Sequence, residues 1–188
     1  ELSNITGKTP DPEGGKIVKT ATSGEPTGLL LENAQNLVKQ AVPPYSVSDL
    51  KQGIIDACQK LAQWGVTSFT DANVDHDSLV AYQELAEENK LPLRVNFLLP
   101  WFPVLGLEGY EHALTKVRLA AGFGSSRLKF GGTKFMADGS MSGKTAALYR
   151  PYEGDSDNLG IMTISEEQLT QGVVAAHRLG ARPCIHAI

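Results

Sequence analysis

A lysine stands among strand-forming residues in the run Gly132-Thr133-Lys134-Phe135-Met136-Ala137-Asp138-Gly139-Ser140. Taking an ammonium out of water without a partner is costly, so this position calls for a counter-ion or for chemistry. Three explanations are open: an ion pair, a Schiff-base amine that attacks a carbonyl substrate, or a carbamate whose oxygens bridge metal ions. Asp138 follows four residues later. His186, close to the end of Pro183-Cys184-Ile185-His186, is a second side chain able to ligate a metal or carry a proton.

Strand alternation sorts these groups. Lys134, Met136 and Asp138 fall on one face. Thr133, Phe135 and Ala137 fall on the other, which is apolar enough to pack on helices. At a rise of about 3.3 Å per residue, Lys134 and Asp138 are roughly 13 Å apart along the strand, too far for a direct pair. A carboxylate from a neighbouring strand stays open as the partner of Lys134. Cys184 and His186 share one face, and Ile185 and Ala187 the other. Asp71 and Asp138 read equally well as caps of turns or helices. His76, His112 and His177 fall in or beside helices and are expected at the surface, and Trp101 is expected to pack or to line a pocket.

The elements that must position these residues begin after an irregular segment, 1–45. Within it, Lys16 to Thr20 and Gly28 to Leu31 suit a hairpin around Ser23-Gly24-Glu25-Pro26. Leu31 to Val42 suits a short helix ended by Pro43-Pro44. From Ser46 the order becomes regular. A helix capped by Ser46 or Ser48 carries Leu50, Ile54, Ile55, Cys58 and Leu61 and stops at Gly65. Strands are expected over Val66 to Asp71, Leu91 to Leu99, Leu128 to Ala137 and Ala181 to Ile188. Helices start at Asp75 or Asp77, span Glu108 to Ala121, and open at Ser165-Glu166-Glu167. This alternation predicts an α/β fold with a parallel sheet. Residues 46–188 would form about four units of a (β/α)8 TIM-type barrel, in which reacting groups gather at the carboxyl ends of strands. An open doubly wound sheet is the alternative, weakened because no Gly-x-Gly-x-x-Gly follows a strand.

Composition excludes several classes. The formal charge of -4, without basic clustering, argues against a nucleic-acid surface. No apolar run reaches membrane-spanning length. Two cysteines, Cys58 and Cys184, make no disulfide framework and suit a reducing, cytoplasmic compartment. Gly139-Ser140-Met141-Ser142-Gly143-Lys144-Thr145 imitates a phosphate loop, but it has three residues between its glycines where that motif has four, and Pro151 limits any following helix. It reads instead as a mobile, glycine-rich active-site loop. The chain opens without Met and closes inside an apolar alternation, which gives the expectation of a piece of a longer protein.

Several segments, in order, resemble the amidohydrolase superfamily, specifically amidohydrolase family 3 in its YtcJ-like and N-substituted formamide deformylase-like branch. They are Thr9 to Gly15, Gly24 to Glu32, Gly65-Val66-Thr67-Ser68-Phe69-Thr70-Asp71-Ala72, Lys134 to Ser140, and His186-Ala187-Ile188. The resemblance implies a metal-dependent hydrolase on a (β/α)8 barrel, with Lys134 carboxylated and bridging two divalent metals, usually zinc, and His186 a metal ligand. A carbamate would turn a buried cation into an anionic oxygen ligand. Asp138 is the candidate for a catalytic role within this chain. The family's His-x-His pair is absent, its later histidine and its proton-shuttling aspartate would lie beyond Ile188, and Thr70 stands where relatives often carry histidine. The expectation is a fragment of an enzyme that hydrolyses carbon–nitrogen bonds of small amides or cyclic amides. On its own it would be inactive, hold metal weakly and self-associate through open barrel edges. A Schiff-base barrel lyase using Lys134 and a non-catalytic binding or structural relative are the other readings.

Overall fold

A computed structural model describes residues 4–39, 41–101 and 119–188. The chain divides into two compact units, one of Glu1–Pro43, Met136–Gln171 and Ile185–Ile188, the other of Pro44–Phe135 and Gly172–Cys184.

The first unit opens with the expected hairpin. Strands β1 (Gly15–Lys19) and β2 (Pro26–Glu32) pair antiparallel, with Ile17 buried. Gly24, at φ 71°, makes the turn. The Lys19 ammonium donates to the Gly7 and Thr9 carbonyls at 2.9 and 2.6 Å, so it ties the preceding segment to the hairpin. The single helix expected over Leu31 to Val42 is instead the end of β2, a 3-10 turn at Asn33–Gln35 and one helical turn, α1 (Asn36–Lys39). The physical reason is local. Glu32 takes φ 47° and ψ −125°, outside the helical region. Beside it, the Asn33 backbone N–H donates to the Gly14 carbonyl at 3.2 Å, outside any helix, while its side-chain amide donates to the Glu13 and Thr163 carbonyls.

In the second unit, helix α2 (Val47–Gln63) starts at Ser46. Ser46 and Asp49 form a reciprocal capping box, the Ser46 hydroxyl accepting the Asp49 N–H at 3.1 Å. Gly65, at φ 79°, ends the chain's helical path there. Strand β3 is Ser68–Asp71, and α3 (His76–Glu87) is capped by Asp75, which accepts the Ser78 N–H at 2.8 Å. Strand β4 is Arg94–Pro100 and β5 is Leu128–Met136. Helix α4 (Glu166–Arg178) follows a second reciprocal cap, between Ser165 and Gln168. Strand β6 is Pro183–His186. The helix expected at Glu108 to Ala121 lies almost wholly outside the described residues; 119–121 are not helical. The sheet runs in the order β3-β4-β5-β6, with β3·β4 and β4·β5 parallel. Successive strands as neighbours, with α3 between β3 and β4 and α4 between β5 and β6, are the arrangement of part of a TIM-type barrel.

One irregularity sets the face on which Lys134 appears. Phe97 pairs with Phe130, but the next residue, Leu98, pairs with Gly132. Gly131 is an extra residue, a β-bulge. Before it, Leu128 and Phe130 are buried; after it, Thr133 and Phe135 are buried. The bulge therefore switches the buried side from even to odd numbers and turns Lys134 away from the helix-packed face. That packed face holds Val95, Phe97, Leu99 and Trp101 beside Phe130, Thr133 and Phe135, all buried. Phe97 meets Phe130, and Trp101 stacks on Phe135, each pair at 5.6 Å between ring centres. Gly172 of α4 lets the helix come down on this pair, since a Cβ there would lie 2.6 Å from Phe135 Cε1.

Helices α2 and α3 are also joined by charge. Lys51 bonds Glu88 at 2.6 Å and Glu84 at 3.0 Å, and Lys90 bonds Glu88 at 2.8 Å. Hydrogen bonds from Lys51 and then Lys90 hold the Glu88 carboxyl down at about 2, against an ordinary value of 4.5. A carboxyl depressed in the folded state stabilises the fold above its unfolded value and loses that contribution as pH falls through the folded value. Acid melting curves should therefore steepen between pH 4.5 and about 2. Glu88→Gln should flatten that slope; an unchanged slope would remove Glu88 as its cause.

Candidate active site

Lys134 is the third residue from the end of β5, in the second unit, and is half-buried. Its carbonyl accepts the Trp101 N–H at 3.0 Å, which fixes the backbone from which the side chain leaves. Its flanks, Thr133 and Phe135, are buried at 0% and 1% exposure. Among the described residues no carboxylate lies within ion-pairing distance of the Lys134 ammonium. The neighbouring-strand salt bridge left open by the sequence is not formed there.

His186 and Asp138 come together in the first unit. The alternation expected to carry Asp138 on the Lys134 face ends at Met136, which is 43% exposed, whereas Asp138 is only 2% exposed. A bridge to Met162 and the bond from the Ala137 N–H to the His186 carbonyl at 2.9 Å hold this stretch. Asp138 Oδ2 accepts the Ala147 N–H at 2.9 Å and so caps the returning loop. Asp138 Oδ1 is buried with no hydrogen-bond partner and lies 3.6 Å from His186 Nε2. His186 Nε2 is 2.7 Å from the Gly139 carbonyl oxygen. A carbonyl can only accept, so Nε2 carries the proton and donates.

The remaining candidates separate into packing and surface. Trp101 is 1% exposed and packs on Phe135. Asp71 accepts the Tyr82 hydroxyl at 2.9 Å and the Asn73 N–H at 3.4 Å, a turn cap with a buried partner. Burial, then the Asp71 charge, pushes the Tyr82 hydroxyl far above its ordinary range. Thr70 is exposed, as are His76 and His177, and His112 lies outside the described residues. In the loop after Asp138, no helix follows Lys144-Thr145, unlike a phosphate loop. Thr145 is buried there. Its hydroxyl accepts the Ser140 N–H at 2.9 Å and donates to the Glu32 carboxylate. Sequence reading missed this contact and the bulge. Only the bulge left a signal, the Gly131-Gly132 pair inside a strand.

A metal can be tested against these side chains. No group of three or more His, Cys, Asp or Glu among the described residues could hold one. Catalytic zinc generally takes three protein ligands, so the described residues do not complete a metal site by themselves. The orphaned Oδ1 of Asp138 and the imidazole next to it are the groups whose chemistry suits a neighbouring cation.

Comparison with known proteins supplies the context. A profile of the amidohydrolase family matches residues 1–188. The Bacillus subtilis protein YtcJ, named as an amidohydrolase, is 31% identical over 100% of this chain and 34% of its own length. The N-substituted formamide deformylase of Arthrobacter pascens is 26% identical over 100% of this chain and 35% of its own length. The crystal structure of an uncharacterized metal-dependent hydrolase from Pyrococcus horikoshii superposes with a TM-score of 0.70 at 27% identity, covering 92% of this chain and 34% of that one. The chain thus spans about a third of the length of the curated relatives it matches. No helix among the described residues is long and apolar enough to cross a membrane.

Proposed function

This chain belongs to the amidohydrolase family, and from that premise we propose that it is part of a metal-dependent hydrolase of carbon–nitrogen bonds other than peptide bonds. The substrate class is a small amide or cyclic amide. In such an enzyme a bound divalent metal, taken here as zinc in a binuclear centre, would supply polarisation of the carbonyl and an activated water. Lys134, as a carbamate, and His186 are the residues of this chain that would hold the metal. The observation that carries the reading is the bulge that turns Lys134 off the packed face, together with the lack of a carboxylate partner for it among the described residues. Asp138, the candidate for a catalytic role, lies beside His186 with Oδ1 3.6 Å from Nε2. The Schiff-base reading has no observation in its favour beyond Lys134 itself, and the incomplete ligand set among the described residues is what favours a non-catalytic relative.

The 188 residues alone would be inactive, cytoplasmic and prone to self-association through the outer strands. The test is expression of the whole reading frame that contains this chain, with metal analysis and amide turnover. Lys134→Ala should lower both metal content and turnover by more than about a hundredfold. Borohydride trapping of a substrate on Lys134 would overturn the proposal in favour of a lyase, and robust turnover by the 188 residues alone would overturn the claim that they are inactive.

A further inference from the structure

We propose that the open face of β3, β4 and β5 is an interface for acidic strands, and that carboxylates from the rest of the longer polypeptide proposed above meet Lys129 and Arg94 there. Register defines the face. Ser68 lies opposite Arg94, Thr70 opposite Asn96, and Asn96 opposite Lys129. Residues paired in register share a side of the sheet, and all five are exposed. Their chain neighbours Val95, Phe97, Leu128 and Phe130 fall on the other side and are buried. This part of the sheet is therefore apolar on the packed side and polar on the exposed side. Parallel strands are ordinarily covered on both faces and read as nearly continuous apolar runs. The inner layers of a barrel are mostly branched aliphatic residues. The row Thr70, Asn96 and Lys129 departs from both patterns.

The exposed face holds two cations and no anion. The Arg94 guanidinium donates to the Thr67 hydroxyl at 3.0 Å, and Lys129 has no ion pair among the described residues. Asp71, which ends β3, falls on the other side of that strand and takes the Tyr82 hydroxyl. Lys134 stands opposite Pro100, four residues beyond Asn96 and roughly 13 Å further along β4, so this cluster is separate from it. Charge then selects the cover. An apolar cover would bury both cations without partners, which is strongly unfavourable. A second copy laid on the same face would set Arg94 and Lys129 against their own equivalents, like charge against like. Acidic strands cover the face and pair its cations. The matched relatives extend well beyond the stretch this chain covers, which leaves length for such strands.

The interface rests on the reading that this chain is part of a longer hydrolase. Its readouts involve neither metal nor turnover, so either idea can fail alone. The experiment uses the whole reading frame that contains this chain. Lys129 should be acetylated at least about tenfold more slowly than Lys90, whose side chain is 64% exposed. Equal rates would show the face open and overturn the proposal. Protection lost on dilution to the monomer would assign the cover to a second copy and overturn it too. Lys129→Met, similar in length but uncharged, should lower the urea midpoint by roughly 1 M or more, because a carboxylate is left buried alone. Lys129→Arg, which keeps the charge, should retain most of the wild-type midpoint. An unchanged midpoint in Lys129→Met would remove the anionic partner. The acetylation rates come from the unsubstituted protein and decide the matter even if a variant does not fold. Glu108→Gln combined with Glu111→Gln removes the acidic residues of 102–118. A loss equal to that of Lys129→Met would place the partner inside this chain and overturn the proposal; an unchanged midpoint is expected.

Discussion

Gly132→Ala should destabilise the chain by roughly 2–6 kcal/mol, the sum of a backbone term and a steric term. The backbone term arises because Gly132 has φ 148°, within the region that L side chains avoid. The steric term arises because a Cβ there would overlap the Arg182 carbonyl, and 3.0 Å would separate it from Arg182 Cβ. That carbonyl accepts the Thr133 N–H at 2.8 Å, so retreat would break the ladder beside β6. A total of several kcal/mol is a large share of the 5–15 kcal/mol typical of a whole domain. Gly65→Ala is the matched control. Gly65 also has positive φ, at 79°, but nothing lies within 4 Å of its Cβ position, so only the backbone term applies. Urea unfolding of both variants would check this, and equal losses would remove the steric argument. Escape by deleting the bulge would return Lys134 to the packed face, with the desolvation cost of an ammonium.

Phe135→Ala should cost about 3–5 kcal/mol. Phe135 is 1% exposed, it stacks on Trp101 with 27° between ring planes, and it fills the space that Gly172 leaves open. Its removal leaves a cavity lined by a rigid indole and by a helix already at closest approach, a site with little freedom to collapse. Met136→Ala, at the adjacent exposed position, should change stability by about 0.5 kcal/mol or less. Denaturation midpoints compare the two directly. A loss below about 1 kcal/mol for Phe135→Ala would mean that α4 is not seated on this ring pair.

Much of the sheet could be read from residue order because its determinants are local. Ser46, Asp75 and Ser165 are side-chain caps that announce helices a few residues ahead, and Gly65 stops one. Pro100 and Gly180 sit close to element ends. The face of Lys134 was read correctly from Thr133 onward, yet an alternation started at Leu128 would have placed it on the wrong side. Gly131-Gly132 is the only local trace of that correction. The Glu32–Thr145 contact was not legible, since its partners are 113 residues apart and neither residue type is unusual where it stands. Asp138 was expected on the Lys134 face or as a turn cap; its bond from the Ala147 N–H fits the cap, and the loop return, not alternation, decided its burial. The family resemblance was legible because short motifs keep their order even where their contacts cannot be inferred.

The first unit is assembled from three separated stretches, ending with Ile185–Ile188. This arrangement constrains how it can be made. Asn33 waits for Thr163, 130 residues later. At 5–20 residues per second, that is roughly 7–26 s of ribosomal synthesis. During this interval the hairpin can close upon itself within microseconds, but the rest of its surroundings does not yet exist. The second unit is in a better position, because α2, β3, α3 and β4 emerge in order and pair with near neighbours. Completion of the first unit therefore waits for the second to be synthesised, and the side chain it finally captures is His186.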